Sequence, residues 1–486
     1  MLKMGESSFG FPGRVYFIGI KGTGMCALAE LMHNGGINVS GSDTDEVFYT
    51  DEILKELQIP FHESFDVSHI KAPDLVIHSA AYSPQRNVEI AEAQRQGIPV
   101  MKYPDALGAY SAGFDSTGIT GVHGKTSTTA LAGTLLRGVG IPAQVLVGSA
   151  VSGFGGRSTL NLGDKYFVAE TCEYQRNFLS FHPKRIILTS VESDHQDCFP
   201  RYEDIRAAFM DYGKLLPCDG ELIYCADDPG ASEVAQSLKK EKPDISLVPY
   251  GFSAQGDYRI KFYQIRDERI IMQLGLFPFE LTIRVPGRHT ALNAAAAIAL
   301  VSSLVRKEFG DENNDGWNEE RREGLKKALE GFRGSKRRSE ILGETCGILF
   351  MDDYGHHPTE IVSTLDGLRE FYPFRRLVLS FMSHTYTRTA ALFDDFAASF
   401  KRADIVFLHK IYSSAREVYH GGVTGRTLFD KVRETAGGNV FYTEEPDEGF
   451  ELLKDLLRPG DLFITMGAGS NWTLGKKLFD YYRGSQ

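Results

Sequence analysis

The residues best suited to chemistry lie in a glycine-rich turn between a predicted strand and a predicted helix. Residues 118–129 read Gly-Ile-Thr-Gly-Val-His-Gly-Lys-Thr-Ser-Thr-Thr, and an alanine-rich helix is predicted from about Lys125. Glycines let backbone N–H groups approach phosphate oxygens, and the start of a helix adds positive potential. Lys125 could reach the outer phosphates, and the hydroxyl of Thr126 could ligate Mg²⁺. The pattern therefore predicts a site for the phosphates of a nucleoside triphosphate.

The spacing of this turn departs from the common phosphate-binding motif. Counting back five residues from Gly124 gives Ile119, and the nearest glycine, Gly118, lies one residue further out. A Gly-Lys-Thr triplet alone would also suit a capped helix start without a ligand. The other glycines, the run of hydroxyls and the helix that follows favour phosphate binding.

Two later strands of the same region end in side chains that suit a metal ion. One strand ends at Glu170, and the strand that begins at Arg185 runs into Glu-Ser-Asp-His, residues 192–195. Because the carboxyl ends of parallel strands converge on one edge of a sheet, Glu170, His195 and Thr126 are predicted to meet there. Mg²⁺ bridging ATP oxygens would suit this set, although histidine is an unusual Mg²⁺ ligand. The alternative is that Glu170 and His195 are helix caps or polar strand ends.

Polar clusters also follow two strands nearer the C-terminus. The segment 353–358 reads Asp-Tyr-Gly-His-His-Pro, and the segment 384–389 reads His-Thr-Tyr-Thr-Arg-Thr. Two histidines at a strand end are more than a turn requires, although Asp and Pro alone would suit a helix start. The basic cluster 336–338 would ordinarily be a solvated face. At a hinge beside an ATP loop, however, one of its arginines could reach the γ-phosphate.

A glycine turn after the first predicted strand suggests dinucleotide binding. Its glycines fall at positions 19, 22 and 24, and Asp43 follows about twenty residues later. The order of these spacings is the reverse of the usual Gly-x-Gly-x-x-Gly, and a tight turn without a ligand is the alternative. The turn could still place a diphosphate at the N-terminus of the helix predicted from about Met25. Two such sites suggest an enzyme that joins a nucleotide-linked substrate to a second compound.

Apolar strands alternate with helices through most of the chain, which predicts an α/β protein with parallel sheets covered by helices. We expect three domains, over residues 1–113, 114–333 and 334–486. The first and third are expected to be Rossmann-like, and the central one is expected to carry the phosphate loop on a parallel sheet. Residues 250–285 are β-rich, as in a hairpin appendage, and the apolar helix Ala291–Val305 is predicted to be buried.

Composition limits the class of protein. The chain has 486 residues, of which 24% are charged and 42% hydrophobic, as is ordinary for a soluble globular protein. Its net charge of −11 argues against a general nucleic-acid-binding surface. No apolar run approaches the ~18 residues that span a bilayer, and residues 1–12 lack the apolar core of a signal peptide. Six scattered cysteines without a Cys-x-x-Cys pair suggest neither zinc nor disulfides, so a cytoplasmic location is expected.

Taken together, these motifs resemble those of the Mur ligases over nearly the whole chain. The most specific are residues 121–126, 353–358 and 384–388, and the opening segments 19–25 and 40–43 resemble the UDP-sugar domain of the branch that adds alanine. The resemblance implies a ligase that uses ATP and Mg²⁺ to join L-alanine to the carboxylate of UDP-N-acetylmuramate through an acyl phosphate. It implies a role in peptidoglycan synthesis, and therefore in cell wall biogenesis, cell shape and cell division.

The resemblance also implies roles for individual residues, and it assigns the three domains to UDP-sugar, ATP and amino acid in chain order. The expected catalytic residues are Lys125, Glu170, His195, Arg338, His356 and Arg388, and the expected metal ligands are Thr126, Glu170 and His195. The expected ATP contacts are Gly121, Val122, His123, Gly124, Lys125, Thr126, Ser127, Asn293, Arg338 and Asp353. The expected UDP-sugar contacts are Gly22, Thr23, Gly24, Met25, Ser42, Asp43, Ser79 and Ala80. The expected amino-acid contacts are Tyr354, His356 and Arg388.

Several positions depart from the family pattern. Thr290 stands where Asn is frequent, Val122 stands where Thr is frequent, and Thr385 stands where many members carry Arg. Cys172 replaces an acid in the sequence Glu-Thr-Cys-Glu. The first lysine after the expected metal histidine is Lys214, so no modified lysine is assigned.

Two other functions stay open at this point. Within the family, the alternative is the recycling ligase that adds a whole tripeptide to UDP-N-acetylmuramate, although segments 22–25 and 384–388 favour the alanine reaction. Outside it, the alternative is a non-catalytic nucleotide-binding regulatory module. A P-loop kinase is disfavoured because nothing suggests a lid over a phospho-acceptor hydroxyl. The sequence does not determine the oligomeric state or the choice among alanine, glycine and serine.

Overall fold

A computed structural model of the chain describes residues 11–413, 417, 419, 421–436 and 439–484. The chain divides by its internal contacts into two compact units. The first comprises the chain up to Glu192 with segments 205–259 and 294–328, and the second comprises segments 193–204 and 260–293 with the chain from Leu329 onward. Both units are α/β, as the alternation of strands and helices predicts. The expectation for residues 1–12 concerns a segment of which only the last two residues are described.

The first unit begins with a parallel sheet. Its strands are β1 (Arg14–Ile18), β2 (Asn38–Ser42), β3 (Phe61–His62), β4 (Leu75–His78) and β5 (Val100–Lys102), and its helices are α1 (Thr23–Asn34), α2 (Thr50–Glu56), α3 (Val88–Arg95) and α4 (Tyr103–Ser111). The strand order is β3-β2-β1-β4-β5, with all neighbours parallel. β4 and most of β1 are buried, as expected for apolar strands of a parallel sheet. The turns after β1, β2 and β4 therefore lie on one edge.

A larger sheet of the same unit carries the phosphate loop. Its strands are β6 (Asp115–Thr120), β7 (Ala143–Val151), β8 (Arg157–Asn161), β9 (Tyr166–Glu170), β10 (Arg185–Leu188), β11 (Glu221–Cys225) and β12 (Ser246–Tyr250), and the helices that follow them are α5 (Lys125–Val139), α6 (Tyr202–Lys214) and α7 (Pro229–Glu241). The order is β12-β11-β10-β6-β9-β7-β8, and among the described strands of this sheet only the β7–β8 pair is antiparallel. Ile119 of β6 lies opposite Glu170 of β9, so the phosphate loop and Glu170 share the C-terminal edge.

The β-rich segment and the apolar helix appear as predicted. The antiparallel sheet β13 (Ile260–Ile265), β14 (Ile270–Leu274) and β15 (Leu281–Ile283) belongs to the second unit. The helices that follow it are α8 (Arg288–Phe309) and α9 (Glu319–Gly331). By length and composition alone, α8 is the one described helix long and apolar enough to cross a bilayer. However, 78% of its apolar stretch is buried inside the protein, which is typical of a core helix.

The second unit is built on a six-stranded sheet. Its strands are β16 (Glu340–Thr345), β17 (Ile348–Asp353), β18 (Arg376–Met382), β19 (Ile405–Leu408), β20 (Val440–Tyr442) and β21 (Asp461–Gly467). Its helices are α10 (Pro358–Phe371), α11 (Tyr386–Ala391), α12 (Phe393–Ser399), α13 (Gly425–Ala436), α14 (Phe450–Leu456) and α15 (Asn471–Gly484). The order is β16-β17-β21-β18-β19-β20, and all pairs except β16–β17 are parallel. The turns after β17 and β18 carry the two polar clusters, and they lie on the same edge.

Candidate active site

Two glycines give the phosphate loop its shape. Gly121 has φ +134°, and a Cβ there would lie 2.1 Å from the hydroxyl oxygen of Thr189. Gly124 has φ +81° and is the residue from which α5 begins. Other residues rarely adopt these backbone angles, so both positions require glycine. Ser190 anchors the loop between them, because its carbonyl accepts from the N–H of Val122 at 3.1 Å.

The remaining predicted loop contacts lie close by. The backbone N–H of His123 donates to the hydroxyl of Ser190 at 2.9 Å, and its imidazole contacts the carboxylate of Glu192. Ser127 lies in the first turn of α5 and is half-buried. The loop is therefore fixed by the segment that follows the neighbouring strand β10, in which Ser190 lies.

Lys125 is held by an acid that the sequence did not single out. Its ammonium lies 3.1 and 2.9 Å from the two carboxylate oxygens of Glu173, and it also donates to the carbonyls of Gly121 and Val122. Burial alone would lower the pKa of Lys125, but the charge and hydrogen bond of Glu173, together with the charges of Cys172 and Glu170, outweigh it and raise the pKa. Lys125 is thus a mostly buried, charged ammonium at the N-terminus of a helix.

Thr126 and Glu170 meet as the sequence predicts. The Thr126 hydroxyl donates to Oε1 of Glu170 at 3.0 Å, and the N–H of Gly148 donates to Oε2 at 2.7 Å. A hydroxyl and a carboxylate are the hard oxygen donors that Mg²⁺ prefers, so this pair fits the expected metal. His195, the third expected ligand, belongs to the second unit.

The predicted UDP-sugar residues occupy the C-terminal edge of the first sheet. Thr23 begins α1 two residues earlier than predicted, and Gly24 is packed so closely that a Cβ would lie 2.8 Å from the Tyr103 hydroxyl. Ser79 and Ala80 directly follow β4 on the same edge, with Ala80 exposed. Gly22 and Met25 complete this set, Gly22 as the N-cap of α1 and Met25 as a buried residue of its first turn.

Ser42 and Asp43 already have partners within the unit. The Ser42 hydroxyl donates to the carboxylate of Glu89, which is fully buried. The Asp43 carboxylate accepts from the N–H of Lys21 at 2.8 Å and from the Tyr82 hydroxyl at 3.3 Å. Both side chains therefore set the geometry of the edge, and a ligand would contact them in addition to these bonds.

In the second unit, Arg388 is buried against Asp194, a residue the sequence reasoning missed although it precedes His195. Nε and Nη2 of Arg388 each lie 2.8 Å from Oδ1 of Asp194. Burial alone would raise the pKa of Asp194, but the charge of Arg388 leads the opposing contributions and lowers it well below its usual range. The other oxygen, Oδ2, lies 3.7 Å from Nε2 of His195.

Two neutral histidines complete this cluster. Nη1 of Arg388 lies 3.1 Å from Nδ1 of His384, and because an arginine can only donate, Nδ1 accepts. His356 packs edge-on against His384 at 5.3 Å between ring centroids, and its Nδ1 donates to the carbonyl of Tyr354 at 2.9 Å. Burial, followed by the charge of Arg388, lowers the pKa of His356 to about 3 and that of His384 to about 4.

The predicted ATP contacts of the second unit have their own partners or surroundings, described in turn. Nη1 of Arg338 lies 3.6 Å from Oε1 of Glu360. Asp353 accepts from the N–H groups of Ser339 and Gly355, each at 2.6 Å, and burial raises its pKa to about 6. Asn293, the expected adenine contact, is buried in α8.

Two of the departures from the family pattern have local structural roles. The Thr290 hydroxyl donates to the carbonyl of Pro286 at 2.8 Å, which secures the first turn of α8. Thr385 has φ +63° and its hydroxyl caps α11 by accepting from the N–H of Arg388 at 3.4 Å. Val122 is buried, whereas Cys172 is an exposed free thiol.

Acidification is expected to destabilise the protein through His356. Its folded pKa of about 3 lies below the 6.5 of an unperturbed histidine, so between these values the unfolded chain binds the extra proton and unfolding is favoured. The urea midpoint should fall from pH 7 to pH 4, and it should fall less in His356→Gln. His182→Gln, at an exposed position of the first unit, is the matched control. An identical pH dependence in wild type and His356→Gln would contradict this assignment.

The chain matches three family models along its length. These are the Mur ligase family catalytic domain over residues 14–115, the Mur ligase middle domain over 119–301, and the Mur ligase glutamate ligase domain over 337–469.

Full-length relatives agree with these matches. A UDP-N-acetylmuramate–L-alanine ligase of Treponema pallidum is 51% identical over 471 residues, 97% of each chain. A protein of the same name from Borreliella burgdorferi is 37% identical over 465 residues, 95% of this chain and 97% of that one. The crystal structure of a UDP-N-acetylmuramate-alanine ligase from Thermotoga maritima matches with a TM-score of 0.76 at 24% identity, covering 97% of this chain and 100% of that one. Because these matches and relatives extend over almost the whole chain, the chain belongs to the Mur ligase family.

Proposed function

We propose that the protein uses ATP to form an amide bond between L-alanine and the carboxylate of UDP-N-acetylmuramate, a step of peptidoglycan precursor synthesis. The near full-length likeness to ligases of that name supports the choice of substrates. The observation that carries the ATP chemistry is the phosphate loop, in which Lys125 and the Thr126–Glu170 pair lie on one edge of a parallel sheet. No feature of the described residues favours tripeptide addition or a purely regulatory role.

The reaction begins by activating the carboxylate of UDP-N-acetylmuramate, which by itself is a poor electrophile. A carboxylate oxygen of UDP-N-acetylmuramate attacks the γ-phosphorus of ATP, the new O–P bond forms, and ADP leaves with the electrons of the broken bond. Such a transfer depends mainly on positioning and on neutralising charge. Within the first unit, the charged ammonium of Lys125 and the backbone N–H groups of the loop would position the transferred phosphoryl group and neutralise its charge.

In the second step the amine of alanine attacks the acyl carbon, and the C–N bond forms as inorganic phosphate and a proton leave. Arg388 has five N–H protons, of which two face Asp194 and one faces His384, so two remain to pair with the alanine carboxylate. Neutral His356, with its proton on Nδ1, offers the lone pair of Nε2 as a hydrogen-bond acceptor for the amine. These roles assign amino-acid binding to the second unit.

Mg²⁺ is the proposed metal. Thr126 and Glu170 would hold it, and when bound it would neutralise phosphate charge. His195 stays a candidate third ligand. The proposed ATP contacts of the second unit are Asn293, Arg338 and Asp353.

Removing the charge of Glu170 is expected to weaken metal use. In Glu170→Gln the Mg²⁺ concentration for half-maximal phosphate release should rise about tenfold or more, because a neutral amide is a weaker ligand for a hard cation. The assay varies Mg²⁺ at saturating ATP and UDP-sugar, with Glu203→Gln, at an exposed position of α6, as the control. An unchanged Mg²⁺ requirement would make Glu170 a polar strand end without a metal role.

Phosphate release from ATP tests the proposed function directly. Release should require UDP-N-acetylmuramate together with an amine, and alanine should exceed glycine, serine and a tripeptide. A methyl pocket discriminates by only ~1–3 kcal/mol, so glycine and serine should be poor substrates rather than inert ones. A preference for the tripeptide would indicate the recycling ligase, and binding of nucleotide without turnover would indicate the regulatory module.

We also propose the division into three domains at residues 113 and 333, which the three successive family matches support. A cytoplasmic location is proposed as well, because the reaction uses ATP and a nucleotide-linked sugar. All six cysteines are free thiols, which agrees with a reducing compartment.

A further inference from the structure

A buried glutamate of α1 ties this helix to the edge strand of the second sheet in the same unit. Oε1 of Glu30 lies 2.6 Å from Nη1 of Arg157, and the Thr159 hydroxyl donates to Oε2 of Glu30 at 2.6 Å. Arg157 and Thr159 are two residues apart on β8, so their side chains leave the same face of the strand. Both carboxylate oxygens of Glu30 are therefore held by one strand.

The buried contact is the stronger of the two that Arg157 makes. Nη2 of Arg157 lies 2.7 Å from Oε2 of Glu56, the last residue of α2, but the side chain of Glu56 is 66% exposed. The side chain of Glu30 is only 6% exposed. An exposed ion pair contributes little, whereas breaking a buried one leaves a charge without compensation. The Glu30–Arg157 contact is therefore the one that holds α1 to β8.

The other end of α1 lies at the proposed UDP-sugar site. Gly22 is the N-cap of the helix and Thr23 begins it, on the edge where the diphosphate is proposed to bind. Glu30 lies two helical turns further along, about 10 Å from Thr23 along the axis. Because a short α-helix moves as a rigid body, a displacement at Glu30 also moves the helix N-terminus and any diphosphate bound there.

β8 belongs to the sheet that carries the phosphate loop. It pairs with β7, β7 pairs with β9, and β9 pairs with β6, whose end leads into the loop. Because hydrogen-bonded strands hold their register, β8 keeps a fixed position relative to the loop. Glu30 and Arg157 therefore join the helix of one substrate site to the sheet of the other.

The two sheets of the first unit are also attached at a second place. The Ser180 hydroxyl donates to the carboxylate of Asp105 at 2.7 Å, and the Tyr110 hydroxyl donates to Oε1 of Gln144 at 2.6 Å. Asp105 and Tyr110 belong to α4, so this helix would still hold the sheets together without the Glu30–Arg157 contact. What would be lost is the ionic contact that specifies how α1 lies against β8.

We propose that Glu30 and Arg157 are positioning residues for the first chemical step, because they hold the diphosphate end of α1 at a fixed place relative to the phosphate loop. The inference rests on the proposed function, in which the carboxylate of UDP-N-acetylmuramate attacks the γ-phosphorus of ATP. A misplacement of about 1 Å between reacting groups can slow a step about a hundredfold. A small change in the orientation of α1 is therefore enough to slow this transfer, although neither residue touches a substrate.

A single-turnover measurement tests the inference. ADP formation is followed with the full chain in excess over ATP, at saturating UDP-N-acetylmuramate and alanine. Arg157→Met should lower the rate about tenfold or more, while the Kd values for UDP alone and ATP alone stay within about twofold of wild type. Lys165→Met is the matched control, because it breaks the Lys165–Glu308 ion pair of the same unit, which does not involve the first sheet. It should retain the wild-type rate.

A double-mutant cycle shows whether the two residues act through their contact. Glu30→Gln should slow the single turnover about as much as Arg157→Met, and the double variant should be no slower than either, because all three break the same pair. Urea unfolding of each variant measures the accompanying change in stability. Additive losses in the double variant would mean that the residues act separately, which overturns the proposal.

The remaining outcomes separate the positioning role from the function as a whole. A lower urea midpoint with a wild-type single-turnover rate would make the pair purely structural and overturn the inference. A slower rate with an equal loss of UDP binding would mean that the pair shapes the diphosphate site itself, and would overturn it too. Both results leave the ligase function standing. Failure of the wild-type protein to form ADP under these conditions overturns the proposed function as well.

Discussion

Replacing Lys125 with alanine is expected to lower kcat for ligation by about a thousandfold or more, while binding of UDP by the first sheet persists. The lysine ammonium is mostly buried, and Glu173 keeps it charged. Alanine removes that positive charge from the helix N-terminus, so the charge that develops on the transferring phosphoryl group loses its counter-ion. Phosphate release at saturating substrates measures kcat, and calorimetric titration with UDP measures the binding that should survive.

Lys184→Ala is the matched control for this prediction, because Lys184 is exposed and lies before β10 in the same unit. It should retain wild-type turnover. Undiminished ATP turnover in Lys125→Ala would remove the lysine from the phosphate site. Loss of UDP binding in a folded Lys125→Ala protein would contradict the assignment of the uridine diphosphate to the first sheet.

Of the substitutions considered, the one that breaks the Asp194–Arg388 pair is expected to lower the stability of the protein most. Asp194→Ala should lower the free energy of unfolding by about 3–5 kcal/mol, because it leaves a buried guanidinium without its carboxylate. Arg388 is 4% and Asp194 is 5% exposed, so solvent compensates little of this loss. Urea unfolding followed by circular dichroism measures the difference.

A double variant separates stability from catalysis. Asp194→Leu combined with Arg388→Met should recover most of the lost stability, because apolar residues of similar size often replace a buried ion pair without penalty. It should not recover alanine-dependent phosphate release, which needs the guanidinium.

Arg388→Lys keeps the charge but loses the planar set of donors, so its alanine KM should rise about tenfold. An unchanged alanine KM and kcat in Arg388→Lys would remove Arg388 from the amino-acid site.

The same pair also has a defined pH dependence. The folded pKa of Asp194 lies below the 3.8 of the unperturbed group, so its contribution to stability is present above about pH 4 and is lost as the pH falls through the folded value. The double variant lacks this contribution. Its stability should therefore fall less than that of wild type below pH 4.

Much of the phosphate site could be predicted from the sequence because its signals are local. The glycines, Lys125 and the hydroxyls are consecutive and stand between an apolar strand and an alanine-rich helix, and the structure confirms β6 and α5 at these places. The contact of Thr126 with Glu170 followed from a general rule, the convergence of parallel strand ends. The antiparallel segment β13–β15 was likewise visible in the pattern.

The ion-pair partners could not be predicted in this way. Glu173 is 48 residues from Lys125, and Asp194 is 194 residues from Arg388, so their pairing depends on how distant strands are ordered in a sheet and on which side chains burial leaves facing each other. A weak signal existed in both cases. Glu173 is the second acid of Glu-Thr-Cys-Glu, and Asp194 directly precedes His195.

We expect Glu173 to make Lys125 selective among anions. Any anion that takes this lysine has to displace a carboxylate that the chain itself holds in place, at an effective concentration that a free ion seldom matches. Inorganic phosphate should make too few contacts to offset that loss, whereas a nucleoside triphosphate should add contacts along the loop. The phosphate released at the end of each reaction cycle should therefore compete poorly with the next molecule of ATP.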